Sequence, residues 1–147
     1  MKKAITYIRV STKMQDVARQ RMKIQEYCDR NNYEIVQEIV DYGISGARAD
    51  REGYIKLQSL TDKDGEILVI SELSRLSREE TLITVNTIQN IIYNGLDVVF
   101  LDDASKYYKA NQALNLIELI TLLVSADKNA KERIEIKRKN QEGKQAI

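Results

Sequence analysis

Three polar side chains stand two residues apart near the amino end: Tyr7, Arg9 and Ser11, in the run Tyr7-Ile-Arg-Val-Ser11-Thr. Side chains of an extended strand alternate faces, so all three share one face if the strand continues to Ser11. An arginine inside an apolar strand is costly to bury unpaired, so Arg9 needs a carboxylate or a bound anion. Two partners are open to it: Asp41, as a structural ion pair, or a phosphate held beside a nucleophilic serine. Further along, Arg75 and Arg78 lie three apart in a polar turn. They share a face if that turn is helical. Arg51 follows the glycine-containing loop YGISGARAD. Guanidinium groups grip phosphate oxygens through paired hydrogen bonds and keep their charge. Each of these arginines alone reads as a surface ion-pair partner. Together, placed beside Ser11, they read as a phosphate site.

The chain contains no histidine. That excludes Ser-His-Asp and Cys-His catalysis and histidine metal ligands. A serine attacking a phosphodiester needs the charge of its transition state neutralised. An arginine cluster does this without a metal. Asp41, Asp102 and Asp103 stand at strand ends, where they serve as a magnesium site or as turn caps. The proton acceptor for Ser11 is open between Asp41 and the phosphate itself, since arginine is a poor base at its usual pKa.

These residues need a frame, and 147 residues suffice for one α/β domain. The chain is 43% hydrophobic and 31% charged, the composition of a globular protein. It has no apolar run of about 18 residues to cross a membrane, and the amino end reads as a first strand rather than a signal peptide. Its single cysteine, Cys28, cannot form an internal disulfide, which fits a cytoplasmic location. Net charge is only +1. If the substrate is DNA, most of the grip on phosphates is expected in a further part of a longer chain.

Apolar periodicity predicts strands at 4–10, 33–41, 66–72 and 97–102, alternating with helices at 12–32, 51–62 and 79–94. Val17, Ile24 and Cys28 fall on one helix face, Ser77 with Glu80 makes a capping box, and Gly95 stands as a helix stop. The alternation predicts a mostly parallel, four- to five-stranded sheet flanked by helices. A site is expected at the carboxyl ends of the strands. A last helix is expected from about 112 to 143. Its far half, 127–144, carries seven basic and four acidic residues. At about 1.5 Å per residue it would outrun the domain and project toward a partner chain or DNA.

The motifs resemble those of the serine recombinases, the resolvase/invertase family. Tyr7-Ile-Arg9-Val-Ser11-Thr-Lys-Met-Gln15 matches the constrained positions of that family's nucleophile segment. Asp41-Tyr-Gly-Ile-Ser-Gly46 is similar to its Asp-x-x-x-Ser-Gly loop, with Arg51 at the family's spacing, and Leu73-Ser-Arg75-Leu-Ser-Arg78 is similar to its Leu-Asp-Arg-Leu-x-Arg motif. Glu132-Arg133 with Ile136 and Gly143 resembles the end of its long helix. The resemblance implies that Ser11 attacks a DNA phosphate to form a 5′-phosphoserine bond. Arg9, Arg75 and Arg78 would hold the phosphate, with Tyr7, Gln15, Gln20, Asp41 and Arg51 as further site residues. Arg133, Lys137 and Lys139 would contact DNA from the long helix. It also implies double-stranded DNA as substrate, a homodimer assembling to a tetramer, and no metal, cofactor or small-molecule substrate.

One departure stands out: Ser74 occupies the position of a family aspartate, a role that Glu72 or Asp41 would have to fill. The expected organisation is a catalytic domain at 1–125 and a helix end at 126–147 for oligomerisation and DNA contact. The DNA-binding regions are expected outside this sequence, as in a large serine recombinase. The alternatives are a transposase of the same family, a non-catalytic relative of the same fold, and a metal-dependent phosphohydrolase using Asp41 and Asp102.

Overall fold

The structure is a computed structural model, and it describes residues 1–10, 14–42, 52–76, 81–102, 106–128 and 138. Five strands form one sheet: β1 (Lys2–Val10), β2 (Tyr33–Tyr42), β3 (Ile67–Ile70), β4 (Asp97–Phe100) and β5 (Lys106–Tyr108). Their spatial order is β2-β1-β3-β4-β5. The first four pair in parallel and β5 pairs antiparallel with β4. The helices are α1 (Met14–Arg30), α2 (Glu52–Ser59), α3 (Thr81–Tyr93) and α4 (residues 116–128).

Strand alternation divides the core into two layers. Ala4, Ile8 and Val10 of β1, with Ile67, Val69 and Val99, pack against Val17, Ile24 and Cys28 of α1. This is the α1 face expected from the sequence spacing. Ile5 and Tyr7, with Leu68, Ile70, Val98 and Phe100, face the other layer, where Leu57 of α2, Ile88 and Ile91 of α3 and Leu122 of α4 are buried. Helices on both faces explain why β3 is buried at every residue and reads as an unbroken apolar run.

Predicted and observed elements differ mainly at their ends. β1 begins at Lys2 rather than residue 4. α1 stops at Arg30, with Asn32 in a left-handed conformation, φ 58°. α2 ends at Ser59 instead of 62, where Thr61 and Asp64 close a turn. β3 ends at Ile70 because the chain tightens into a 3-10 turn at Leu73–Arg75. β4 likewise ends at Phe100, and the side chain of Asp102 turns back to accept the N–H of Leu73. Gly95 terminates α3 as expected, at φ 100°, with Gly95 N–H donating to Ile92 and Leu96 N–H to Ile91. The Ser77–Glu80 capping box lies outside the described residues.

Two features escaped the sequence reading. The short strand β5 lies in a stretch too brief to show periodicity. The last helix starts at 116, not 112, because Asn115 and Glu118 cap it reciprocally. Glu118 N–H donates to Asn115 Oδ1 at 2.8 Å and Asn115 N–H donates to Glu118 Oε1 at 3.1 Å. Beyond residue 128, only Arg138 of the expected long helix is described, and it is helical.

Candidate active site

The strand order places a topological switch between β1 and β3. The chain crosses from β1 over one face to β2, and from β2 over the other face to β3. Loops leaving the carboxyl ends of the two central strands therefore diverge and open a crevice, the usual place for a site in such sheets. Arg9 lies near the end of β1, and Ser74 and Arg75 lie in the turn after β3. The same topology thus brings both arginines to the crevice.

They are interlocked there. Arg9 Nε donates to the carbonyl of Arg75 at 2.8 Å, and Arg9 Nη2 donates to that of Ser74 at 2.7 Å. In return, Arg75 Nη1 donates to the carbonyl of Arg9 at 3.2 Å. Each guanidinium is anchored on the other's segment, so the two charges are held at one edge. The Arg9 carbonyl also accepts Nε2 of Gln20 at 3.1 Å. Gln20 is fully buried, and its Oε1 accepts the Ser71 hydroxyl at 3.4 Å. It ties α1 to the ends of both central strands. Gln15, in the first turn of α1, is exposed.

Tyr7 and Asp41 form the floor beside this pair. The buried Tyr7 hydroxyl donates to Asp41 Oδ2 at 2.6 Å. Asp41 also accepts the N–H groups of Gly53 at 2.7 Å and Tyr54 at 2.8 Å. Arg9 and Asp41 are opposite partners in the β1–β2 register, yet the guanidinium reaches the Ser74–Arg75 turn instead. The structural pairing of Arg9 with Asp41 considered from the sequence is therefore replaced by bonds to two carbonyls. Asp41 is engaged as the cap of α2, and Asp102 as the cap of the 3-10 turn. Burial pushes the Asp102 carboxyl upward against the Leu73 hydrogen bond.

The sequence reading missed Asp16. This residue of the first turn of α1 pairs end-on with Arg75, at 3.0 Å from Nη2 to Oδ1 and 3.0 Å from Nη1 to Oδ2. Arg19 joins it, bonded to Asp16 at 2.9 Å and to Glu72 at 3.0 Å. Those hydrogen bonds, to Asp16 and then to Glu72, raise the Arg19 pKa above its ordinary value. Glu72 also accepts the Ser74 hydroxyl at 3.4 Å and stands 3.7 Å from Arg75 Nε. The Glu72 carboxylate thus lies beside Arg75 although residue 74 is a serine. The signal for Asp16 was weak: an acidic residue in a first helical turn is commonplace. Ser11, Arg51, Arg78, Arg133, Lys137 and Lys139 lie outside the described residues.

The family model described as "Resolvase, N terminal domain" matches residues 4–146. The chain belongs to the resolvase family. Solved structures support the same assignment of fold. A resolvase family site-specific recombinase from Streptococcus pneumoniae aligns with a TM-score of 0.61 at 24% identity, over 99% of each chain. The N-terminal catalytic domain of TP901-1 integrase aligns at 0.61 and 21% identity, over 90% of this chain and 97% of that one. The C-terminal catalytic domain of ISC1926 TnpA, an IS607-like serine recombinase, aligns at 0.58 and 22% identity, over 84% and 79%. Comparison with curated proteins gives no match. The resolvase-family chain therefore carries the fold of serine recombinase catalytic domains. Among its described residues, no helix is long and apolar enough to cross a membrane.

Proposed function

We propose that this resolvase-family domain cuts and rejoins double-stranded DNA through a covalent 5′-phosphoserine intermediate. The observation that carries the reading is the mutual anchoring of Arg9 and Arg75. It holds the Arg75 guanidinium on the Arg9 carbonyl, two residues before Ser11 in sequence, and the Arg9 guanidinium on the Ser74–Arg75 turn. In this reading the Ser11 oxygen attacks a backbone phosphorus and the 3′ oxygen departs as a hydroxyl. The serine proton passes to the leaving group, directly or by way of the phosphate. The reverse attack by a 3′-hydroxyl reseals the strand and frees the serine. The ester bond retains the phosphodiester's energy, so the cycle consumes no nucleotide. Arg9, Arg75 and Arg78 neutralise the pentavalent transition state. Gln20 and the Tyr7–Asp41 pair fix the strand end that bears the nucleophile.

The domain is proposed to act as a homodimer that pairs into a tetramer. Residues 126–147 would extend α4 toward partner and DNA, with Arg133, Lys137 and Lys139 on phosphates. Site-specific recombination is the primary reading, and transposition uses the same chemistry.

The test is a covalent protein–DNA adduct formed by the full-length protein and its recombination-site DNA in EDTA. It should form in the unmodified protein and be absent in Ser11→Ala. An adduct that persists in Ser11→Ala removes the assignment of the nucleophile, and one that requires a divalent metal removes the metal-free mechanism.

A further inference from the structure

Arg75 is a phosphate ligand in the proposed function, and its guanidinium is already engaged. Its end-on edge, Nη1 with Nη2, is taken by both oxygens of Asp16 at 3.0 Å each. This is the two-point geometry by which a guanidinium holds a phosphate. Its Nε is buried without a hydrogen bond and faces Glu72 Oε2 at 3.7 Å. Two carboxylates therefore balance Arg75, and a phosphate reaching it meets like charges. Arg19 touches the same two carboxylates from the solvent side, at 2.9 and 3.0 Å. Two arginines and two acids make a cluster of zero net charge.

From this we infer that the Asp16–Arg19–Glu72–Arg75 cluster is a self-occupied phosphate site. Asp16 stands in for the DNA phosphate while DNA is absent. When a phosphate binds Arg75, Asp16 lets go of it and stays paired with Arg19. Arg19 is thus the holding cation that makes release cheap in energy. The inference rests on the reading of Arg75 as a phosphate ligand and adds a regulation of that site.

The mechanism sets opposite signs for two substitutions. Removing the charge of Asp16 opens Arg75 to phosphate. Removing Arg19 takes one of the two guanidinium groups off these carboxylates, which then hold Arg75 more tightly, and closes the site. A site in which Asp16 only props Arg75 in place gives weaker binding for both.

Inorganic phosphate, titrated into the chain and followed by NMR on the Arg75 side-chain Nε–Hε resonance, reads this directly. Arg75→Lys assigns the signal, and the backbone amide spectrum reports that each variant is folded. Asp16→Asn is expected to respond at about tenfold lower phosphate, the scale of one close charge contact at a half-buried site. Arg19→Gln is expected to respond at higher phosphate than the unmodified chain. In Asp16→Asn/Arg19→Gln the Arg19 effect should shrink, because its partner carboxylate is gone.

Weaker binding in Asp16→Asn overturns the inference, as does an equal response in all chains or none in any. Strictly additive effects overturn the hand-over to Arg19. The parent reading fails separately. If the Ser11 adduct is missing while the phosphate order holds, the chemistry is wrong and the cluster stands. If the adduct forms while the phosphate order is absent, the cluster is wrong and the chemistry stands.

Discussion

Arg75 concentrates the chemistry that a single side chain can carry here. Its guanidinium bonds the Arg9 carbonyl and faces Asp16 and Glu72, with only 18% of its side chain exposed. A lysine cannot reproduce that fork of donors. Arg75→Ala should lower DNA cleavage by about 100-fold or more, the usual cost of losing a preorganised donor to a transition-state oxygen. The measurement is adduct formation rate alongside the far-ultraviolet circular dichroism spectrum. A near-normal rate with the fold intact would remove Arg75 from the mechanism. Tyr7, by contrast, is read as a positioning group: its hydroxyl is buried on Asp41.

At the scale of elements, Asp41 joins β2 to α2. It accepts two N–H groups of the helix's first turn, at Gly53 and Tyr54, and the Tyr7 hydroxyl from β1. The close approach requires a glycine: a Cβ on Gly53 would lie 2.7 Å from Asp41 Oδ1 and 2.8 Å from Ile39 Cγ2. Asp41→Ala strands three buried donors and should destabilise the domain by about 2–4 kcal/mol. Urea unfolding measures it. A loss below about 0.5 kcal/mol, the range of ordinary surface changes, would mean that the cap is not structural. This carboxylate has a structural task whether or not it also serves Ser11.

For the molecule as a whole, the two core layers and the outer face of α4 set the behaviour. Cys28 is buried on the sheet-facing side of α1, and that burial pushes its thiol up to about 11. Its pKa is thus raised on folding, so its contribution to stability is complete below the unfolded value near 9 and is lost as pH climbs toward 11. The urea midpoint should fall over that window by more in the unmodified chain than in Cys28→Ala. Parallel curves would show that the thiol does not titrate with unfolding. On α4, Leu119, Leu122 and Leu123 pack on the core, while Leu116, Ile117, Ile120 and Val124 are 71%, 77%, 51% and 63% exposed. An apolar stripe of that kind marks an interaction surface. In the proposed dimer it meets a second copy. Ile117→Glu should abolish concentration-dependent dimerisation in sedimentation velocity while leaving the monomer folded. An unchanged dimer would place the interface elsewhere.

Much of this was legible in the sequence. Apolar periodicity gave four of the five strands and the α1 face that buries Val17, Ile24 and Cys28, because such patterns follow from helix and strand geometry alone. The placement of Tyr7 and Arg9 on one face of β1 was legible for the same reason. The absence of histidine had already excluded Ser-His-Asp and Cys-His catalysis and histidine metal ligands. Strand order was not legible, and neither was the switch point that carries the β3 turn to the end of β1, since long-range pairing leaves no local trace. The roles of the carboxylates were likewise decided only in three dimensions. Asp41 was a candidate base and proves to hold backbone amides. Asp16 looked like an ordinary helix-start residue and proves to grip Arg75. What a charged side chain does depends on which groups the fold brings within about 3 Å of it, and one-dimensional spacing does not contain that distance.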